Sequence, residues 1–169
     1  HIMQISYSPI GYFKTPFTDI KGMPIQPIGA KDIEGYVEIL PEFSAGLQDL
    51  EGFSHVIVLY HLHEIQGYEL LIKPFLDINR HGVFATRSPK RPNPVGLSVM
   101  RLEGVAGAYI FLKGIDVLDG TPVIDIKPYV ADFDECNADR FGWFEGKSAN
   151  AVHHRSDNRF AKELSIKEN

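Results

Sequence analysis

The sequence predicts an all-β (mainly β) fold: a single compact β-barrel with long loops and a few short helices. Three observations predict it. Glycine (15) and proline (11) cut the 169 residues into short pieces, most of which read as strands. The helical crossovers of roughly 10–15 residues that a parallel α/β sheet needs are missing. A hydrophobic content of 44% with 23% charge is that of a soluble globular chain with one real core.

The elements follow in order. Gln4–Phe13 carries Ile5, Tyr7 and Ile10 and reads as a first strand kinked at Pro9. Thr15–Ala30, with three prolines and two glycines, is a long loop, and loops of that length are uncommon unless functional. Its Pro24–Ala30 part, PIQPIGA, suits either an ordinary surface loop or a cover for a flat ring. Gly35–Leu40 alternates as a strand, and Ser44–Leu50 is a short helix or turn with Ser44 as its N-cap. Ser54–His63, SHVIVLYHLH, is β-branched and aromatic, as a central buried strand is. Glu69–Ile72, Gly82–Thr86, Val95–Leu102, Tyr109–Leu112 and Val123–Ile126 complete the strands, and Asn158–Ile166 is the best helix. His1-Ile2 reads as a cloning scar, residues 3–145 as the barrel domain and 146–169 as a tail or helix.

Composition excludes several classes. A net charge of −5 argues against a strongly basic RNA-coating protein, although a local basic patch on an acidic body stays open. No apolar run nears the roughly 20 residues that span a bilayer, and no signal-peptide pattern is seen. The single Cys136 makes no intrachain disulfide, so a reducing cytoplasm is expected. Neither a helix-opening GxGxxG nor a Walker A sequence is present.

Chemistry concentrates in two segments. In Gly82–Ser98, GVFATRSPKRPNPVGLS, Arg87, Lys90 and Arg91 are set among Pro89, Pro92 and Pro94. Proline fixes φ and restricts its predecessor, so the loop is stiff before any ligand arrives and loses less entropy on binding. Arg87 and Arg91 offer forked donors for carboxylate or phosphate, and Asn93 a donor–acceptor pair. Gly96 permits close approach of a ligand or an unusual φ. In Gly114–Tyr129, GIDVLDGTPVIDIKPY, Asp119-Gly120 signals a turn, and Asp116, Asp119 and Asp125 recur near Lys127 and Tyr129. Such carboxylates accept from ribose hydroxyls, hold an ammonium or act as general bases. Asp119 read blandly is a turn residue, and Asp125 a partner for a basic residue. His55, His61 and His63 share a face of one extended strand. Lacking an Asp or Cys at a supporting spacing, they suit a pocket wall better than a metal site, and none is assigned.

GVFATRSPKRPNPVGLS followed by DGTPVIDIKPY, with FSHVIVLYHLH upstream, resembles the TsaA-like (TrmO) β-barrel methyltransferases, from about Ser8 to about Tyr129. The resemblance is to a short form without the C-terminal domain of longer members. It implies S-adenosyl-L-methionine as cofactor, a homodimer with the site near the interface, and the tRNA anticodon loop as substrate. The implied reaction methylates the exocyclic nitrogen of a threonylcarbamoyl-adenosine beside the anticodon. Carried over by motif, the cofactor contacts Pro27, Ile28, Gly29, His63, Glu64, Arg87, Leu97, Ile115, Asp116, Val117 and Leu118. Lys90 and Arg91 are left for the tRNA. The acceptor nitrogen is urea-like and a poor nucleophile, so Asp119 or Asp125 is expected to assist as a base, with Asn93 and Tyr129 orienting it. The alternatives are a non-catalytic S-adenosylmethionine- or RNA-binding module and a metal-dependent hydrolase using the histidine strand.

Overall fold

Alternation along the strands decides which residues enter the interior. In His55–His61, Val56, Val58 and Tyr60 are buried while the residues between them are half-exposed. The same period of two runs through Gly11–Lys14, where Phe13 is buried, and Tyr109–Lys113, where Ile110 and Leu112 are. The computed structural model, which describes residues 2–19, 31–74 and 77–145, assembles these strands into a closed antiparallel barrel. In chain order they are β1 (Gly11–Lys14), β2 (Glu34–Ile39), β3 (His55–His61), β4 (Leu71–Ile72), β5 (His81–Gly82), β6 (Val95–Ala106), β7 (Tyr109–Lys113) and β8 (Pro122–Pro128). Around the barrel the order is β1-β2-β7-β6-β3-β8, with β8 closing onto β1. Closure leaves the barrel no free sheet edge. β4 and β5 form a separate two-stranded ribbon.

Phe13, Val37, Ile39, Val56, Val58, Met100, Ile110, Leu112 and Val123 fill the interior. The two ends are closed differently. At the far end, where β3 begins, the 3-10 turns Pro41–Leu47 and Leu50–Gly52 pack Leu47 and Leu50 against the core. At the other end, the mouth, the loop between β7 and β8 inserts Ile115 and Val117, both buried. That loop turns at Asp119-Gly120, with Gly120 at φ 82°, as the dipeptide predicts, and β8 starts at Pro122.

The structure corrects three local expectations. Pro41 opens the turn expected to start at Ser44, since proline suits a first helical turn, and the Ser44 hydroxyl donates to the Pro41 carbonyl at 3.0 Å from inside it. The strand expected over Gly82–Thr86 ends at Gly82, and Val83–Ala85 is a 3-10 turn closed by the Thr86 N–H and hydroxyl on the Val83 carbonyl. β1 starts at Gly11 rather than Gln4. A short helix α1 (Ala131–Asp134), not expected, follows β8. The helix expected over Asn158–Ile166 lies outside the described residues. Among the described residues no helix is long and apolar enough to cross a membrane.

Candidate functional site at the barrel mouth

Strand direction brings separate segments to one end. β3 leaves the barrel at His61 where β6 enters at Val95, β7 leaves at Lys113 where β2 enters at Glu34, and β1 leaves at Lys14 where β8 enters at Pro122. Residues 15–19, 62–64, 83–94 and 114–121 therefore meet at the mouth. Hydrogen bonds stitch them together: Leu62 N–H to the Pro94 carbonyl at 2.8 Å, Asp119 N–H to the Phe17 carbonyl at 2.7 Å, and Thr15 Oγ1 to the Val117 carbonyl at 2.8 Å.

Inside the mouth lies a chain of polar groups. Ser98 Oγ donates to Asp116 Oδ1 at 3.0 Å, and Tyr60 Oη lies 2.8 Å from Ser98 Oγ. The Ser98 proton is engaged by Asp116, so the Tyr60 hydroxyl is the donor to Ser98. Asp116 stands between buried Ile115 and Val117. Burial pushes its carboxyl above the usual aspartate range, against the Ser98 bond and its own backbone amide, which hold it down. Burial, then the Asp116 charge, likewise raises the Tyr60 phenol, opposed by the Ser98 bond and by Arg87. Arg87 thus lies close enough to act on the same phenol. Among the described residues neither Asp116 nor Arg87 has an ion-pair partner.

Gly96 makes room for this chain. It is the cross-strand neighbour of Tyr60, and a Cβ on it would stand 2.2 Å from the tyrosine ring. The close approach expected at Gly96 is therefore made by Tyr60, and its φ is not positive. Phe13 holds the ring from another side, edge-on at 5.8 Å.

The basic loop is stiffened by more than proline. Ser88 N–H donates to Thr86 Oγ1 and Lys90 N–H to Ser88 Oγ, each at 3.2 Å. Arg91 Nη1 donates to the Thr86 and Ser88 carbonyls at 3.0 and 2.9 Å, so part of its fork braces the loop itself. Trp143, beyond the barrel, adds a strap. Its Nε1 donates to the Ala85 carbonyl at 2.7 Å, and its ring stacks on His81 at 4.7 Å. Nothing in the sequence pattern marks Trp143 for this, nor pairs Tyr60 with Ser98.

The comparisons with known proteins match the barrel as a whole. The family model of the tRNA-methyltransferase O N-terminal domain matches residues 12–135, which include every strand of the barrel except the first residue of β1. The chain belongs to this family. A probable S-adenosyl-L-methionine-binding protein of Pyrococcus abyssi is 49% identical over 94% of the chain and 86% of its own length. A mouse tRNA (adenine(37)-N6)-methyltransferase is 42% identical over 75% of the chain, which spans only 31% of that enzyme. A crystal structure of TrmO from Pseudomonas aeruginosa superposes with a TM-score of 0.71 at 34% identity, over 97% of the chain and 81% of its own.

Within this family domain the expected site residues divide. Arg87, Asp116, Leu118, Asp119 and the His63-Glu64 pair, whose side chains lie 3.5 Å apart, stand at the mouth. Ile115 and Val117 are there too, with their side chains in the core, so backbone is what they present. Asp119 Oδ1 accepts the Thr15 N–H at 3.0 Å. Lys90 reaches toward Glu69 at 4.0 Å, and Asn93 is exposed. Leu97 and Asp125 lie on the outer wall, both opposite Leu59 of β3. Asp125 pairs there with Lys127 at 2.9 Å. Tyr129 lies beside His55 at the far end, about 20 Å away along seven-residue β8. Pro27, Ile28 and Gly29 fall outside the described residues. No cluster of three metal-ligating side chains occurs among the described residues.

Proposed function

We propose that this chain is an S-adenosyl-L-methionine-dependent tRNA methyltransferase acting on the exocyclic nitrogen of threonylcarbamoyl-adenosine next to the anticodon. The observation that carries the reading is the mouth itself, in a chain of this family: a carboxyl raised by burial and a guanidinium without an ion pair flank one tyrosine hydroxyl. That donor set fits a zwitterionic, sulfonium-bearing cofactor, with Arg87 for its carboxylate. His63, Glu64 and Leu118 frame it, Ile115 and Val117 offer backbone, outer-wall Leu97 joins where a second copy closes over it, and Pro27–Gly29 completes the set by resemblance. When bound, the cofactor supplies an electrophilic methyl on a positively charged sulfur.

The chain's own part is to bind, orient and accept a proton. Positioning supplies much of the rate of an in-line displacement. Lys90 and the unengaged donors of Arg91 meet the anticodon-loop phosphates or the threonyl carboxylate, and Asn93 orients the acceptor. Asp119, with one oxygen bonded to Thr15, is the nearer of the two expected bases. Tyr129 and Asp125 reach this site only if a second copy brings them.

A homodimer suits the outer wall. Val95, Leu97 and Val99 of β6 are 43%, 53% and 46% exposed, beside Ile57 and Leu59 of β3. A second copy on this aliphatic face covers it and encloses the cofactor beside Leu97. A cytoplasmic setting fits the free, exposed Cys136.

One observation favours the second reading, a non-catalytic binding module: Asp119 and Asp125 both already have partners. Labelled methyl transfer to tRNA with and without the threonylcarbamoyl group, followed by nucleoside analysis, separates the two. Label confined to modified tRNA supports the proposal. Equal labelling of both tRNAs overturns the substrate, and cofactor binding without any incorporation favours the module.

A further inference from the structure

The Tyr60–Ser98–Asp116 chain has a feature that packing does not explain. A half-buried carboxyl at the mouth has no countercharge among the described residues; the Ser98 hydroxyl and its own amide are its hydrogen-bond partners. A carboxylate partly withdrawn from water without a cation carries a desolvation cost, and an asparagine would make the same bond to Ser98 at lower cost. Retaining an acid here makes chemical sense if the countercharge arrives with a ligand. We propose that Tyr60 and Ser98 are positioning residues that hold the Asp116 carboxylate as the receptor for the cationic part of the cofactor. The inference rests on the reading that this chain binds S-adenosylmethionine.

The geometry gives each residue a distinct task. Ser98 fixes Asp116 Oδ1 by donating at 3.0 Å. Tyr60 donates to Ser98 at 2.8 Å, which polarises the serine hydroxyl and strengthens its bond to the acid. Gly96 and Phe13 fix the tyrosine ring against strand and core. The charged and titratable groups facing the chain from its neighbours are the Tyr60 phenol itself, from β3, and Arg87, from the loop. Arg87 acts on the phenol and forms no ion pair with Asp116, which leaves Asp116 to the cation and Arg87 to an anion of the same ligand. The Ser98 bond stabilises the charged form, so losing it moves Asp116 further up.

Binding of a cation by Asp116 then weakens as pH falls through the raised range of that carboxyl. The test is calorimetric titration of S-adenosylmethionine into the full chain across pH 5–9, for the parent and for Ser98→Ala, Tyr60→Phe and Asp116→Asn. Asp116→Asn is expected to bind about tenfold to a hundredfold more weakly at neutral pH, without the acid-side loss of affinity. Ser98→Ala is expected to shift the midpoint of that loss to higher pH, and Tyr60→Phe to shift it the same way by less. Circular dichroism confirms that each variant is folded. S-adenosylhomocysteine, which keeps the ammonium and lacks the sulfonium charge, is the second probe. A pH dependence kept with it assigns the ammonium, and one lost with it assigns the sulfonium; both support the carboxylate as receptor. Parent binding with unshifted variants overturns this inference alone. A parent that binds neither ligand at any pH overturns the cofactor reading itself, and this inference with it.

Discussion

The two ends of the barrel are built from the same strands and differ in how they are closed. The far end is capped by 3-10 turns that press Leu47 and Leu50 onto the core, beside the His55–Tyr129 contact. The mouth is capped by Ile115 and Val117 with an acid between them, under a braced basic loop. Apolar closure at one end supplies stability. The mouth sets a half-buried acid among its apolar plugs, and that acid carries a desolvation cost. The difference teaches that the polar and charged groups gather at one end of the barrel, the end to which the proposed function assigns the cofactor.

Substitutions at the two ends should therefore separate stability from binding. The largest stability effect is expected in the interior: Met100→Ala removes a fully buried side chain and should cost about 2–5 kcal/mol in denaturant unfolding. Cofactor affinity measured well below the melting temperature should stay unchanged. Gly96→Ala comes next, because its Cβ must displace the Tyr60 ring, which has little room to yield. It should cost about 1–3 kcal/mol and also lose cofactor affinity.

Asp116→Asn should do the reverse and raise the melting temperature at neutral pH. The folded carboxyl titrates above its ordinary range, so the native state binds a proton more readily than the unfolded chain. The cost of Asp116 is fully present above its folded pKa and disappears as pH falls toward the ordinary aspartate value. Melting curves from pH 4 to 8 should show the advantage of the variant shrinking in acid. The smallest effect is expected from His55→Gln at the far end. Burial, then Arg101, lowers His55 below its ordinary value of 6.5. The native state thus resists protonating it, and stability drains as pH falls below 6.5. The variant should flatten that slope slightly and leave cofactor binding alone.

Much of the barrel was legible because alternation in segments such as HVIVLYH needs no tertiary information. The mouth was legible as segments, since the basic loop and the aspartate-rich segment do meet there. The assignment among three aspartates was not. Counting by twos from buried Val123 points Asp125 inward. A register shift opposite Leu59 and Tyr60 turns it outward, to Lys127, and no local sequence signal announces that irregularity. Asp116 reads like its neighbours until the loop buries Ile115 and Val117 around it. Tyr60, Gly96 and Ser98 become a unit only once the β3–β6 register is known. Tyr129 follows Asp119 closely in sequence, yet an intervening strand carries it to the opposite end.

The most direct measurement is a map of backbone amide shifts on titration with S-adenosylmethionine. The account predicts changes concentrated at residues 60–64, 87, 96–98 and 114–119, with His55, Tyr129 and residues 41–52 quiet. Shifts largest at His55, Tyr129 and the 3-10 turns would place the site at the wrong end of the barrel and contradict it.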